Sequence, residues 1–170
     1  LKDTGKPVRL GIIGSGEMGT DLVTQVSLMD GIEIAAISTR RPHTAMAAMD
    51  IAYGTGEGAA HASEVESRSS MSAAIGGGRI AVTADTELMV TAPEVDVIID
   101  ATGKPGVGAD FDLLGMEHGK HLVMMNVEAD VTIGPWLKHE ADRLGVIYSV
   151  GAGDEPSSCM ELIEFTSALG

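Results

Sequence analysis

The chain has 170 residues, a formal net charge of −14, 44% hydrophobic residues and one cysteine. That length suits one domain with a real core. The charge opposes nucleic acid and anionic membrane as partners, and no apolar run approaches the ~20 residues that cross a bilayer. Only 3% of residues are aromatic, so the core falls to Ile, Val, Leu, Ala and the ten Met, which read as gap fillers. Leu1–Pro7 is a polar lead-in without a secretory signal, and a first residue other than Met reads as a trimmed or excised piece. Cys159 cannot form an internal disulfide, which favours a reducing, cytoplasmic setting. It is expected in the core, inside the last helix.

Arg9–Ile13 (RLGII) is the first strand. It runs into Gly14-Ser15-Gly16-Glu17-Met18-Gly19, a GxGxxG turn between a strand and a helix. In that setting Gly14 allows the tight turn, Gly16 leaves the backbone open to a pyrophosphate, and Gly19 lets the helix pack close to the sheet. The helix, Glu17 to Met29, carries Met18, Leu22, Val26 and Met29 at helical spacing. Its N-terminus offers free N–H groups to phosphates. Ile32–Ile37 is the second strand, and Pro42 opens the second helix at a favoured position.

The stretch 54–78 breaks the rhythm. It is rich in Gly, Ser and Ala, with a weak helical core around Ser70–Ile75, and reads as a mobile insertion or lid. Its GTGEG follows a helix rather than a strand, so a phosphate loop is rejected there. Strands resume at Arg79–Thr83, Val95–Ile99, His121–Met125 and Val146–Val150. Helices fall at Thr86–Thr91, Asp110–Glu117, Gly134–Leu144 and Ser157–Leu169, the last with Met160, Ile163 and Ser167 along one stripe. The alternation predicts an α/β Rossmann domain over 1–170: a doubly wound parallel sheet of about six strands, with the Gly/Ser-rich insertion after the second helix.

In such sheets ligands sit at the carboxyl ends of the strands, where strand order reverses. The first turn offers Gly14, Ser15, Gly16, Glu17 and Met18 to a cofactor. The second strand ends in Ser38-Thr39-Arg40-Arg41, without the acid that binds the adenosine ribose in NAD enzymes. Two guanidiniums suit a phosphate. Thr39, Arg40 and Arg41 therefore point to NADP(H), the alternative being solvated loop charges. After Asp100, the small residues Ala101, Thr102 and Gly103 let a cofactor pass close to the backbone. Lys104 could meet a substrate anion or simply face solvent. Asn126, Gly151 and Gly153 are expected along the cofactor. Glu128 and Asp154 are candidate catalytic carboxylates, and Asp154 a candidate ligand for a divalent metal such as Mg or Mn. Helix capping by Asp130, Asp154 or Glu155 is the competing role. His118 and His121 make no metal signature, because Gly119-Lys120 breaks the helix between them. No Ser or Cys nucleophile motif is present.

Taken together, GIIGSGEMG, the Ala101-Thr102-Gly103 turn, MMNVEAD and GAGDEP resemble the cofactor domain of homoserine dehydrogenase-like oxidoreductases, and most closely the deoxyxylulose-phosphate-reductoisomerase-like branch. The resemblance covers nearly the whole chain. Homoserine dehydrogenases and reductoisomerases carry Asn-Lys after the fifth strand; here Asn126 is followed by Val127. Reductoisomerases carry an Asp-x-Glu metal pair after the next strand; here Asp154 and Glu155 are adjacent, and Asp154 carries over. The resemblance implies an NADP(H)-dependent oxidoreductase or reductoisomerase acting on a small carbonyl or hydroxy substrate. It further implies a catalytic and dimerisation domain, beyond residue 170 or absent, and a homo-oligomer in the full-length protein. Plain homoserine dehydrogenase is the alternative enzyme. A non-catalytic dinucleotide-sensing module is the alternative of another class.

Overall fold

Branched and aliphatic runs of four to seven residues, separated by turn and capping residues, alternate with helical segments along the chain. The computed structural model describes residues 5–151 and 155–169. In order the elements are β1 (Val8–Ile13), α1 (Glu17–Val26), β2 (Ile32–Ser38), α2 (Pro42–Tyr53), α3 (Gly58–His61), β3 (Ala62–Glu64), α4 (Arg68–Gly76) and β4 (Ile80–Thr83). There follow α5 (Thr86–Val90), β5 (Val97–Asp100), α6 (Pro105–Glu117), β6 (His121–Met124), α7 (Val127–Leu144), β7 (Tyr148–Val150) and α8 (Glu155–Leu169).

The strands form one sheet in the order β3-β4-β2-β1-β5-β6-β7, and every pairing is parallel. The chain winds outward from β1 on one side, then returns to place β5 on the other. The reversal therefore lies between β1 and β5, where Ile13 pairs with Asp100. Parallel strands are buried on both faces, and their period of two sends neighbours to opposite cores. Ile13 and Ile98 join Met89, Met116 and Leu137, under α4 to α7. Ile12 and Ile99 join Val23, Val26, Ala45 and Met49, under α1 and α2.

Four expectations change. The sheet has seven strands rather than six. The added strand, β3, lies inside 54–78, which is built into the fold as α3, β3 and α4. β3 is only Ala-Ser-Glu, with Ala62 its one buried side chain, so it carries no hydrophobic pattern. Its pairing with β4 is made by backbone, extended by Val65 N–H donating to Val82 O at 2.8 Å. Next, α6 begins at Pro105 and α7 at Val127, earlier than the periodicity suggests. Pro105 takes the favoured first-turn place in α6. α7 runs through Pro135 because Ala129, Leu137 and Ala141, all 0% exposed, anchor it on both sides of the lost backbone bond. Finally, Cys159 is exposed rather than in the core, as are Met160, Leu162, Ile163, Phe165 and Leu169 of α8.

Candidate functional site

The chain leaves β1 through Gly14, whose φ of +105° is the left-handed region that glycine tolerates. Its amide donates to Ser38 O at 2.8 Å, tying the turn to the end of β2. A Cβ on Gly14 would stand 2.8 Å from Ala101 O, so the β1 and β5 turns touch backbone to backbone. A Cβ on Gly19 would strike Gly14 O, which brings α1 tight against the turn. A Cβ on Gly16 would meet nothing within 4 Å. The three glycines thus divide into two that packing requires and one that faces open space.

Gly16 is the N-cap of α1 and has no side chain to cap it. The first backbone bond of the helix is Thr20 N–H to Gly16 O at 2.9 Å. The amides before it are left to a ligand or water, at the positive end of the helix dipole. Beside this turn lies a cleft of about 430 Å³, lined by Gly14, Ser15, Gly16, Thr39, Arg40, Arg41, Ala101 and Thr102 among the expected residues. A second cleft, of about 450 Å³, opens at the amino ends of β1, β2 and β4, around Arg9, Glu33, Tyr53 and Arg79. Ligands of parallel sheets bind at the carboxyl ends, so the first cleft is the candidate site.

The cleft also takes in Ser38 and Lys104, already noted at their strand ends, and Thr44, Thr86, Val107 and Phe111, which sequence reasoning missed. Thr44 completes a cluster of three hydroxyls. Ser15 Oγ lies 3.0 Å from Thr39 Oγ1 and 2.5 Å from Thr44 Oγ1. Thr44 donates to Arg41 O at 2.7 Å. With that hydrogen committed, Ser15 has one hydrogen to share between Thr39 and Thr44, and the three oxygens keep lone pairs at the edge of the cleft. The signal for Thr44 was its place two residues after Pro42, on the first turn of α2. Val107 and Phe111, four apart on α6, give the cleft an apolar wall. Val107 was missed because the helix was expected to start only at Asp110.

Beneath the Ala101–Gly103 turn is a buried polar cluster. Asp100, Asp112 and Asn126 are each 0% exposed. Asp100 Oδ1 accepts from Thr102 N–H at 2.9 Å, and Oδ2 from Asn126 Nδ2 at 2.9 Å. Asn126 Nδ2 also donates to Thr102 Oγ1 at 3.0 Å, while its Oδ1 caps α7 by accepting from Ala129 N–H at 3.3 Å. Burial, reinforced by the Asp100 charge and a hydrogen bond to Asp100, raises the Asp112 carboxyl from 3.8 to about 9. Nearby, the Tyr148 hydroxyl donates to Asp130, and burial with that bond pushes its ionisation far above the usual tyrosine range.

The remaining expected residues lie around this frame. Glu17 and Met18 stand exposed in the first turn of α1. Gly103 (φ +60°) ends the β5 turn beside the cleft. Asn126, expected along the cofactor, is buried under the turn, its amide hydrogens engaged by Asp100 and Thr102. Glu128 is exposed in the first turn of α7, with Asp130 two residues on. Gly151 follows β7 and donates to Met124 O at 2.9 Å. Gly153 and Asp154 lie outside the described residues. Among the described residues no group of three or more His, Cys, Asp or Glu side chains is placed to hold a metal ion.

No protein-family model matches this chain, and no curated protein matches it in sequence. Solved structures do match its fold. One is the WlbA dehydrogenase from Bordetella pertussis in complex with NADH and UDP-GlcNAcA, at 18% identity and a TM-score of 0.60, over 86% of this chain and 37% of that one. Another is a homoserine dehydrogenase from Thiobacillus denitrificans, at 18% identity and a TM-score of 0.57, over 85% of this chain and 29% of that one. A third is biliverdin reductase from Synechocystis in complex with biliverdin and NADP+, at 16% identity and a TM-score of 0.55, over 85% of this chain and 38% of that one. The chain therefore spans about a third of the length of the structures it matches. At these identities the likeness establishes the α/β fold shared with oxidoreductase cofactor domains.

Proposed function

We propose that this chain is the cofactor domain of an NADP(H)-dependent oxidoreductase acting on a small carbonyl or hydroxy substrate, of the reductoisomerase-like or homoserine dehydrogenase-like kind. The observation that carries the reading is the cleft itself. One strand-to-helix turn presents an open Gly16 and uncapped helix amides, and the next strand end presents Arg40 and Arg41 beside the Ser15–Thr39–Thr44 hydroxyls. A pyrophosphate fits the first feature and a ribose 2′-phosphate the second. Arg40 and Arg41 are exposed and unpaired by any described carboxylate ion pair, so they can turn onto a phosphate without breaking a bond. A bound nicotinamide supplies the hydride chemistry. The chain's own part is to bind, to orient and to keep the turn at Ala101–Gly103 close to the cofactor.

Cofactor choice tests this directly. A charge-assisted phosphate contact contributes about 1.5–3 kcal/mol, so NADPH should bind at least ~10-fold more tightly than NADH. Replacing Arg40 and Arg41 by Ala should weaken NADPH and leave NADH nearly unchanged in a fluorescence titration. Equal affinities at low salt would sink the assignment.

Glu128 and Asp154 are proposed as the carboxylates that move a proton at the reacting end. Both follow strands on the β5-β6-β7 side of the reversal, where the nicotinamide half of a dinucleotide lies. In the full-length protein, Glu128→Gln should keep NADPH binding while turnover falls ~100-fold. Unchanged turnover with a lower melting temperature would leave Glu128 as a helix-terminus charge on α7. A metal at Asp154 would take its other ligands from outside the described residues, and turnover lost to a chelator and restored by Mg or Mn would support one. A small-molecule substrate, a homo-oligomer and a cytoplasmic setting complete the proposal. The exposed thiol of Cys159 suits a reducing compartment, and no described helix is long and apolar enough to cross a membrane.

A further inference from the structure

We propose that Asp112 is a positioning residue for the cofactor-facing turn: as a neutral acid it donates its hydrogen to Asp100 and so holds the backbone of Ala101–Gly103. The inference rests on the cofactor reading only for what the turn is used for. Its structural half stands on the buried cluster alone.

Two carboxyl groups, both fully buried, interact where α6 comes down on the end of β5, Asp112 one turn after the Gly108 that touches Asp100. They cannot both be ionised without a cation between them. The hydrogen bonds decide which keeps the proton. Asp100 accepts Thr102 N–H with one oxygen and Asn126 Nδ2 with the other, the pattern of an ionised carboxylate. Asp112 accepts nothing from any described donor at either oxygen. A buried carboxylate in that state would be left wholly unsatisfied, whereas a carboxylic acid has a hydrogen to give and Asp100 beside it to take it. The shift of Asp112 to about 9 has the same physical origin, burial first and the Asp100 charge second.

The close approach is built into α6. Gly108 lies one turn before Asp112, and a Cβ there would strike Asp100 Oδ2 and come within 2.7 Å of Asn126 Nδ2. Only a residue without a side chain lets α6 come down onto the pair. The titratable groups that interact with Asp112 are Asp100 on β5 and Tyr148 on β7, whose hydroxyl also donates to Asp130 of α7. None is a cation. Loss of the Asp112 proton would therefore set like charges against each other directly under Thr102, and the turn would loosen.

The experiment uses isotope-labelled protein and two variants. Carboxyl-carbon NMR of the wild type should show Asp112 protonated at pH 7 and titrating near pH 9. Asp112→Asn, whose amide can still donate to Asp100, should keep Thr102 amide exchange within about threefold of wild type and NADPH affinity within about twofold. Asp112→Ala should speed Thr102 exchange and weaken NADPH, each by roughly tenfold, with the amides of β2 unchanged. An Asp112 that is ionised at pH 7, or a Thr102 amide equally protected in the Ala variant, overturns the proposal. Should the Ala variant not fold, the wild-type titration decides alone. Failure of the cofactor reading would look different: wild type itself would not bind NADPH, while the Thr102 result stood.

Discussion

At the residue scale the fingerprint glycines divide into those that packing requires and one that faces open space. Gly14 sits at φ +105° with Ala101 O 2.8 Å from where a Cβ would be. Gly14→Ala combines backbone strain with a collision against main chain, and should lower unfolding free energy by about 1–3 kcal/mol. Gly16 has an ordinary φ of −75° and open space beyond it. Gly16→Ala should change stability by less than about 1 kcal/mol, the scale of an altered helix cap. It should nonetheless weaken NADPH at least ~10-fold by displacing the pyrophosphate. Denaturant unfolding and cofactor titration on the two variants read the two effects independently. A stable Gly16→Ala protein with wild-type affinity would mean that the open turn is not the pyrophosphate site.

At the element scale α6 shows how one helix serves packing and site together. Its first half carries two glycines, Gly106 and Gly108. Near Gly106 a Cβ would meet nothing within 4 Å, while at Gly108 it would collide with the Asp100–Asn126 pair. Gly106→Ala should therefore stabilise the protein by about 0.5 kcal/mol through helix propensity. Gly108→Ala should destabilise it by about 2 kcal/mol or more and disturb the turn above it. Thermal unfolding of the pair checks the contrast; a Gly108→Ala protein as stable as wild type would mean that α6 can slide away from the cluster. The element's other end is held by Gly115, whose Cα leaves room for the Ile98 side chain of β5. Val107 and Phe111 then reach the cleft because both ends are pinned.

For the whole molecule, charge sets the response to pH. The net charge is −14, and the three ion pairs among the described residues are all at least partly exposed, so they contribute little to offset self-repulsion. Asp112 adds a specific slope. Between 3.8 and about 9 the folded protein holds a proton that the unfolded chain has released. Its contribution is thus fully present below pH 4 and is lost as pH rises through 9, at up to ~1.4 kcal/mol per pH unit. Other carboxylates titrate too, so the test is a difference: stability of wild type against Asp112→Asn from pH 5 to 9. The wild type should lose stability relative to the variant as pH rises. Parallel curves would show that Asp112 ionises in the folded state as it does in the unfolded one.

What the sequence determined by itself is local. The Gly14-Ser15-Gly16 turn, the strand–helix alternation, the parallel sheet and the basic Arg40-Arg41 pair follow from glycine stereochemistry, hydrophobic period and side-chain type, which a short window contains. β3 escaped because Ala62-Ser63-Glu64 is a strand by virtue of β4 beside it, not of its own pattern. The early start of α7 escaped because Gly134-Pro135 locally reads as a helix entrance, and only burial of Ala129 against the sheet overrides it. Cys159 and the apolar residues of α8 looked like core, yet whether an apolar stripe is covered depends on what packs against it. Of the candidate site, the Gly14–Gly16 turn and the Arg40-Arg41 strand end that line the cleft were legible; its floor was not. Asp100, Asp112 and Asn126 lie up to 26 positions apart and become one cluster only when β5, α6 and α7 pack together. A proton shared between buried carboxyls is decided by dielectric and distance, and both exist only once the chain has folded.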